Sequence, residues 1–478
     1  MMGRKQDQQC IAIIDMESIV PDAHLLKKIR RMVDFAFVYD AVAPYYGSKG
    51  RPSIDPVCQI KMMLVGYLYG IRSERKLEEE VSLNIAYRWF CGFSLNDRIP
   101  DHSLFSQNRR RRFGDSAIFR EIFNQIVMRC IGMGIVTGEA VVSDGSFLPA
   151  NVSDTSKVEV EEAVTRSTVS YLDTLDEELS ALPGHKSPQP EETKKTALKS
   201  TTDPDCGYIH QERKKGLGYL TQMTVDTDHG IITGVDCYPA NRRESDIILI
   251  HLQQQMEDTR LTINRLALDA GYDVGAVHRG CEHLGIVDYC CPRISHNNPM
   301  KKGFTYDAGR DCFLCRMGKT LTFYRIIYKK KDQCYYRLYR ISRKECKDCE
   351  HLASCSVDRG AVRINASPFY PAYYANRKRT ETEMYQWMKR LRSIWSEGTF
   401  AALKANHNLS RIRKRGIHRA TEECLLAAIA LNLKRLVSVC NIHCVGKLRY
   451  LCFAGTGHFF LFCSPFGFCQ QFPYFIVP

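Results

Sequence analysis

Three carboxylates stand where residue type and spacing could do chemistry together. Asp144 lies in Val141-Val142-Ser143-Asp144-Gly145, where the short apolar run Ala140-Val141-Val142 enters a polar turn. An aspartate at a strand end, followed by glycine, leaves a carboxylate exposed at a sheet edge with bare backbone around it. Asp-Gly alone is also an ordinary turn signal. The pattern recurs in Arg265-Leu266-Ala267-Leu268-Asp269-Ala270-Gly271, again an apolar strand closed by Asp, a small residue and Gly. Glu397 follows in a helix-like stretch that runs from Arg392 to Lys404. Two strand-end aspartates and one helical glutamate could meet at one point and hold two divalent ions. Oxygen-only ligands with open water positions suit Mg²⁺, with Mn²⁺ as the substitute. Two ions about 3.5–4 Å apart stabilise both the attacking and the leaving oxygen of a phosphoryl transfer. Glu422 and Glu423 are rivals for the third position, but glutamates at a helix start usually complement its dipole, which ranks them below Glu397.

The chemistry needs a polyanion, and the composition favours one. Over 478 residues the formal net charge is +14. Nucleic acid is the simplest partner; a merely solvated basic surface is the alternative. Arg109, Arg110, Arg111 and Arg112 form a dense positive band on a helix, read as a phosphate contact against a solvated face. Asp101 and His102, just before it, are read as the cap of that helix rather than a catalytic pair. Arg411, Arg413, Lys414 and Arg415 form a basic turn suited to phosphates. The N-terminus lacks a signal-peptide pattern, and no uncharged run of about 18 residues occurs before the last 43. A cytoplasmic protein with reduced thiols and no membrane partner is expected. Two CxxC pairs, Cys312/Cys315 and Cys346/Cys349, followed by Cys355, then point to a structural Zn²⁺ site. The gap between the pairs exceeds the usual ribbon spacing, so buried or unpaired cysteines are the alternative.

The elements that must position these groups fall into five stretches. Residues 1–138 read as helical, with short helices joined by tight turns in a helix-turn-helix manner. Within them one helical pattern covers Pro21 to about Tyr39, and others open at Asp55-Pro56, Ser73 and Asn84. Residues 139–294 read as an α/β sheet covered by helices, interrupted at 154–212 by a charged helix (Val158 to Leu182) and a flexible polar loop. Residues 295–365 form the cysteine-bearing insertion. Residues 366–437 carry a long basic helix beginning at Arg377-Lys378-Arg379 and bearing Glu397 and Lys404, then a core helix from Ala420 to Val437. Residues 438–478 are aromatic and cysteine-rich and nearly lack charge.

On these residues the chain resembles bacterial insertion-sequence transposases of the DDE type, closest to the IS-eleven-eighty-two group. The stretches that carry the resemblance are GRPSIDP (50–56), PDHSLFSQNRRRR (100–112), VSDGSFLPAN (142–151), GIITGVDCYPANRRESD (230–246), LALDAGYD (266–273), SEGTFAALK (396–404) and the closing run at 415–436. The resemblance implies an RNase H-like catalytic core with an all-α N-terminal module that binds terminal inverted repeats. It assigns Asp144, Asp269 and Glu397 to the metal-binding triad and Lys404 to a DNA-holding role. Arg392 stands in for an arginine that related proteins carry nearer the glutamate. It further implies two divalent ions, double-stranded DNA at the element ends and at the target, and a homodimer when active. Such proteins usually stop near residue 437. Two rival readings stay open: a catalytically decayed repressor of the element, and a related nuclease without strand transfer.

Overall fold

The computed structural model describes residues 13, 15–47, 53–111, 113, 117–164, 173–184, 193–211, 214–293, 303–329, 334–351, 357–358 and 361–452. The chain divides into two units, 1–437 and 438–478. Of the second, the described part is the continuation of a helix to Cys452. None of the described helices is long and apolar enough to cross a membrane.

The N-terminal part is helical: α1 (Met16–Ile19), α2 (Leu25–Met32), α3 (Phe37–Val42), α4 (Pro56–Leu68), α5 (Glu74–Leu83), α6 (Ile85–Cys91), α7 (His102–Arg111) and α8 (Ile118–Gly132). Polar side chains start them. Asp55 accepts from Val57 N at 2.7 Å with Pro56 at the first helical position, and Ser73, Asn84 and Asp101 cap α5, α6 and α7. The single helix expected over Pro21–Tyr39 is instead two. Val33 is extended, and Asp34 accepts from Ala36 N at 3.0 Å, a local side-chain turn that outcompetes the helix. Helix α4 is buried on nearly every side, and its Ile60, Met62, Met63, Leu64 and Val65 sit at the centre. These helices, the sheet and the last helix share one continuous core, from Val20 to Val437.

β1 (Ala140–Pro149) opens the α/β part. The stretch after it differs from the expected helix and loop. Lys157–Val164 is a strand (β2), followed by the short helix α9 (Asp173–Ser180) and by β3 (Thr193–Ser200), which pairs with β2 as an antiparallel ribbon. The run Val158, Val160 alternates with Glu159, Glu161, which is strand periodicity, and period 2 rather than charge density decides the element. Next come β4 (Gly207–Gln211), β5 (Lys214–Asp226), β6 (Ile232–Pro239), α10 (Glu244–Thr259), β7 (Arg265–Leu268), α11 (Gly275–His283) and β8 (Val287–Cys290). The sheet runs β5-β1-β7-β8, with β4 and β6 both on the outer edge of β5. β5 and β6 are antiparallel to their neighbours, whereas β1, β7 and β8 are mutually parallel. It is a mixed α/β sheet behind a helical N-terminal region.

The cysteine-bearing stretch is a second sheet: β9 (Thr305–Asp307), β10 (Cys312–Leu314), β11 (Thr320–Lys329), β12 (Cys334–Ser342), β13 (Val357–Asp358) and β14 (Ala361–Ala366). It buries its own aromatic cluster, in which Phe313 meets Tyr306, Tyr339 and Tyr370 at 4.9–5.1 Å between ring centroids. The chain closes with α12 (Tyr370–Arg379), α13 (Glu383–Arg392), a π-helical turn (Ser393–Glu397), α14 (Gly398–Asn406) and α15 (Ile417–Cys452). Arg377, Lys378 and Arg379 therefore end a helix rather than begin one. Thr382 restarts the chain by capping α13 through Tyr385 N.

Candidate active site

Asp144 is not in a turn. β1 runs straight through it to Pro149, paired with β5 along its whole length. On the other edge β7 pairs only with Ala140, Val141 and Val142, in the register Val142–Ala267. Continued past the end of β7, that register brings the chain at Asp269 toward Asp144, and the Asp269 charge acts on the Asp144 carboxyl. Because β7 ends at Leu268, the edge of β1 at Asp144 is left open on that side. Each carboxylate is steered by a local amide: Gly145 N donates to Asp144 Oδ1 (2.8 Å) and Gly271 N to Asp269 Oδ1 (2.7 Å).

Helix α13 lies across β1, β7 and β8 and delivers the next groups. Arg392 Nη1 stands 3.8 Å from Asp144 Oδ2, and its Nε is buried without a hydrogen-bond partner among the described residues. The π-helical turn then interrupts the α register. Trp395 packs on the β5–β6 turn at Gly230, with the Arg435 guanidinium 5.5 Å from its ring. Ser396 is buried and donates to Asp144 Oδ2 at 2.5 Å. Glu397, the next residue, is exposed. The three expected carboxylates thus do not meet at one point. Among the described residues, only Glu78, Asp101 and His102 place three such ligand atoms within 4.8 Å of one another. The reason is rotational: neighbouring helical residues point about 100° apart, and the π turn spends the inward direction on Ser396. Lys404 returns to β1, donating to Ser146 Oγ at 2.8 Å, two residues beyond Asp144. Glu397, seven residues earlier, stands on nearly the same helical face as Lys404.

The electrostatics are those of crowded carboxylates. Burial, more than anything else, raises the Asp144 carboxyl above its ordinary range; the Ser396 hydrogen bond opposes this and the Asp269 charge adds to it. Beneath the pair, the fully buried Tyr272 hydroxyl donates to Gln222 Oε1 (2.8 Å), and Gln222 Nε2 donates to Ser143 Oγ (2.8 Å). The chain continues through Thr224 and His251 to Asp236 and Arg120. Behind Asp269, His278 is held between Asp288 Oδ2 (2.5 Å) and Asp273 Oδ1 (3.1 Å), and Arg377 and Arg379 pair with the same two aspartates. Neither network was legible in the sequence, where polar residues inside apolar strands carried no signal of their partners.

The remaining expected residues divide. The basic turn is tied down from inside: Glu423 accepts from Arg413 N (3.1 Å) and Lys414 N (2.9 Å), and Glu422 faces Lys414 Nζ at 3.5 Å. Both rival glutamates are buried in this role. Arg411 and Arg415 reach Asn151, at the end of the strand that carries Asp144. Arg112 and the side chains of Arg109, Arg110 and Arg111 lie outside the described residues, as does Cys355. Of the other cysteines, Cys315, Cys346 and Cys349 line one cavity. Cys312 does not join them. It alternates with Phe313 on β10, and Phe313 points into the aromatic cluster those cysteines border, so Cys312 takes the other face.

Two family models match: a transposase domain (DUF772) over residues 14–111 and a transposase DDE domain over residues 314–437. No curated protein matches the chain. Among solved structures it is similar to a piggyBac transposase synaptic complex with hairpin DNA. The identity is 10%, over 87% of this chain and 74% of that one, with a TM-score of 0.38. It is also similar to a Mos1 mariner paired-end complex with Mn, at 9% identity over 51% of this chain and 61% of that one, with a TM-score of 0.16. Likenesses this distant carry no argument about the site. The two domain matches flank the aspartate-bearing strands on either side, and they support a DDE transposase.

Proposed function

We propose that the chain is the transposase of a bacterial insertion sequence, with an RNase H-like core. In this reading it binds the terminal inverted repeats of its element, cuts the DNA at the ends and transfers the freed 3′-OH to target DNA. The observation that carries the reading is that β1, which bears Asp144, runs parallel to β7, whose end leads directly into Asp269, with Arg392, Ser396 and Lys404 brought onto β1 by the helix that also bears Glu397. The donor set is all oxygen, and the backbone beside the two carboxylates, at 145 and 271, is glycine. That set fits Mg²⁺ or Mn²⁺. Divalent ions bound there would stabilise charge on the attacking and leaving oxygens. Arg392, whose buried Nε has no hydrogen-bond partner among the described residues, supplies a donor for a backbone phosphate close to Asp144. Lys404 marks the line of the strand along β1. Glu397 is proposed as the third carboxylate on its match to the family's triad, in the exposed turn next to Ser396.

The test is a joining assay on a plasmid-borne element end with Mg²⁺. Joined products from wild type and none from Asp269→Asn support the reading. Cut ends that never join would favour a nuclease instead. Binding without any cutting would favour a decayed repressor. We also propose a structural zinc ion that would draw together Cys315, Cys346 and Cys349, which line one cavity but whose sulfurs do not converge within 4.8 Å of one another here.

A further inference from the structure

We infer that Glu244 is a further metal-binding carboxylate of this site, acting beside Asp144 and Asp269. The inference rests on the proposed metal-dependent reading and adds a residue to it. Glu244 is the first residue of α10, where an acidic side chain ordinarily complements the helix dipole from solvent. Here its carboxylate is turned inward, between the strand that carries Asp144 and the loop that carries Asp269. A methyl group at position 145 would stand 2.6 Å from Glu244 Oε1. One at position 271 would stand 2.9 Å from Glu244 Oε2 and equally 2.9 Å from Asp269 Oδ1. Real Cβ atoms essentially never come this close, so a side chain at either position would push the Glu244 carboxylate aside; one carboxylate lies against both glycines. The buried Tyr272 hydroxyl reports the same convergence: after burial, the charges that raise its pKa are Glu244 first, then Asp144, with Asp269 further down.

Three acidic groups around one opening repel one another, and a divalent cation relieves that repulsion. Mg²⁺ is held through one or two carboxylates and keeps several waters, so ligands need not all touch one ion. The carboxylates here stand farther apart than a closed three-ligand cluster, which suits ions shared between pairs of them or reached through water.

The test is Mn²⁺ binding to the full chain, read by the paramagnetic resonance of the free ion. The variants are Glu244→Gln, Glu244→Asp, Asp246→Asn and Asp144→Asn. Gln keeps the size of the side chain, and the melting curve of each variant checks folding. Expected is an affinity loss of about tenfold or more in Glu244→Gln, partial recovery in Glu244→Asp, and no change in Asp246→Asn, whose carboxylate shares the first turn of α10. Wild-type affinity in Glu244→Gln, with binding lost in Asp144→Asn, overturns the inference and leaves the metal reading standing. Equal losses in Glu244→Gln and Asp246→Asn overturn it as a helix-dipole effect. A wild type that binds no Mn²⁺ at millimolar concentration overturns the metal reading and the inference together.

Discussion

Replacing His278 by glutamine should destabilise the fold in a way that depends on pH. His278 is fully buried, between Asp273, four residues past Asp269, and Asp288 on β8. Arg377 and Arg379 face the same two aspartates from α12, and the Tyr373 ring lies 5.9 Å away. Burial alone would lower the imidazole pKa; the Asp288 and Asp273 charges outweigh it and raise it from 6.5 to about 9. At about 1.4 kcal/mol per pH unit, the charged form gains on the order of 3 kcal/mol from folding. Below pH 6.5 the histidine is charged in both states and the whole contribution is present. As pH rises toward 9 the unfolded chain gives up its proton while the folded one keeps it, and the contribution is gone above 9. Glutamine is neutral throughout. Urea unfolding of wild type and His278→Gln at pH 6 and pH 9.5 measures the gap between them. Comparing the two proteins cancels the buried thiols, which titrate alike in both. The gap should be wide at pH 6, and narrower by roughly 3 kcal/mol at pH 9.5. A gap that stays constant would refute the idea that a buried imidazolium ties the Asp269 loop to α12.

Two further outcomes follow from the geometry. Glu423→Gln should lower stability by about 1–3 kcal/mol, because two backbone amides of the basic turn lose a charged acceptor. Its Mn²⁺ affinity should stay at the wild-type value, and a collapse of affinity would return Glu423 to the active site. Zinc content measured on purified protein should fall in Cys346→Ser and persist in Cys312→Ser. Equal loss in both would restore the four-thiolate arrangement of two complete CxxC pairs.

Much of the site was legible because two signals recurred together. Asp144 and Asp269 each follow an apolar run with a glycine one or two residues on, and the parallel register of β1 and β7 directs both runs to the same end of the sheet. The helices that open at Asp55-Pro56, Ser73 and Asn84 were readable from their caps. Other features depended on partners far along the chain. Period-2 alternation in Lys157–Val164 was masked by its charges, and the ribbon became visible only with β3 beside it. The turn read at Ser143–Gly145 is strand because β5 pairs with it on the far side, seventy-odd residues later. Ser396, Tyr272, Gln222 and His278 gave no local sign, since a buried polar group is explained only by what it bonds. Glu244 gave no local sign either. Its position became informative only once Gly145 and Gly271 were seen to flank it.

The central claim is that Asp144 and its neighbours cut DNA with a divalent ion. The most direct measurement is the cleavage of a labelled duplex bearing the element end, with Mg²⁺ and with chelator, by wild type, Asp144→Asn and Glu397→Gln. The account predicts cutting by wild type alone, abolished by chelator, with duplex binding retained in both variants. Cutting by Asp144→Asn at the wild-type rate would contradict it.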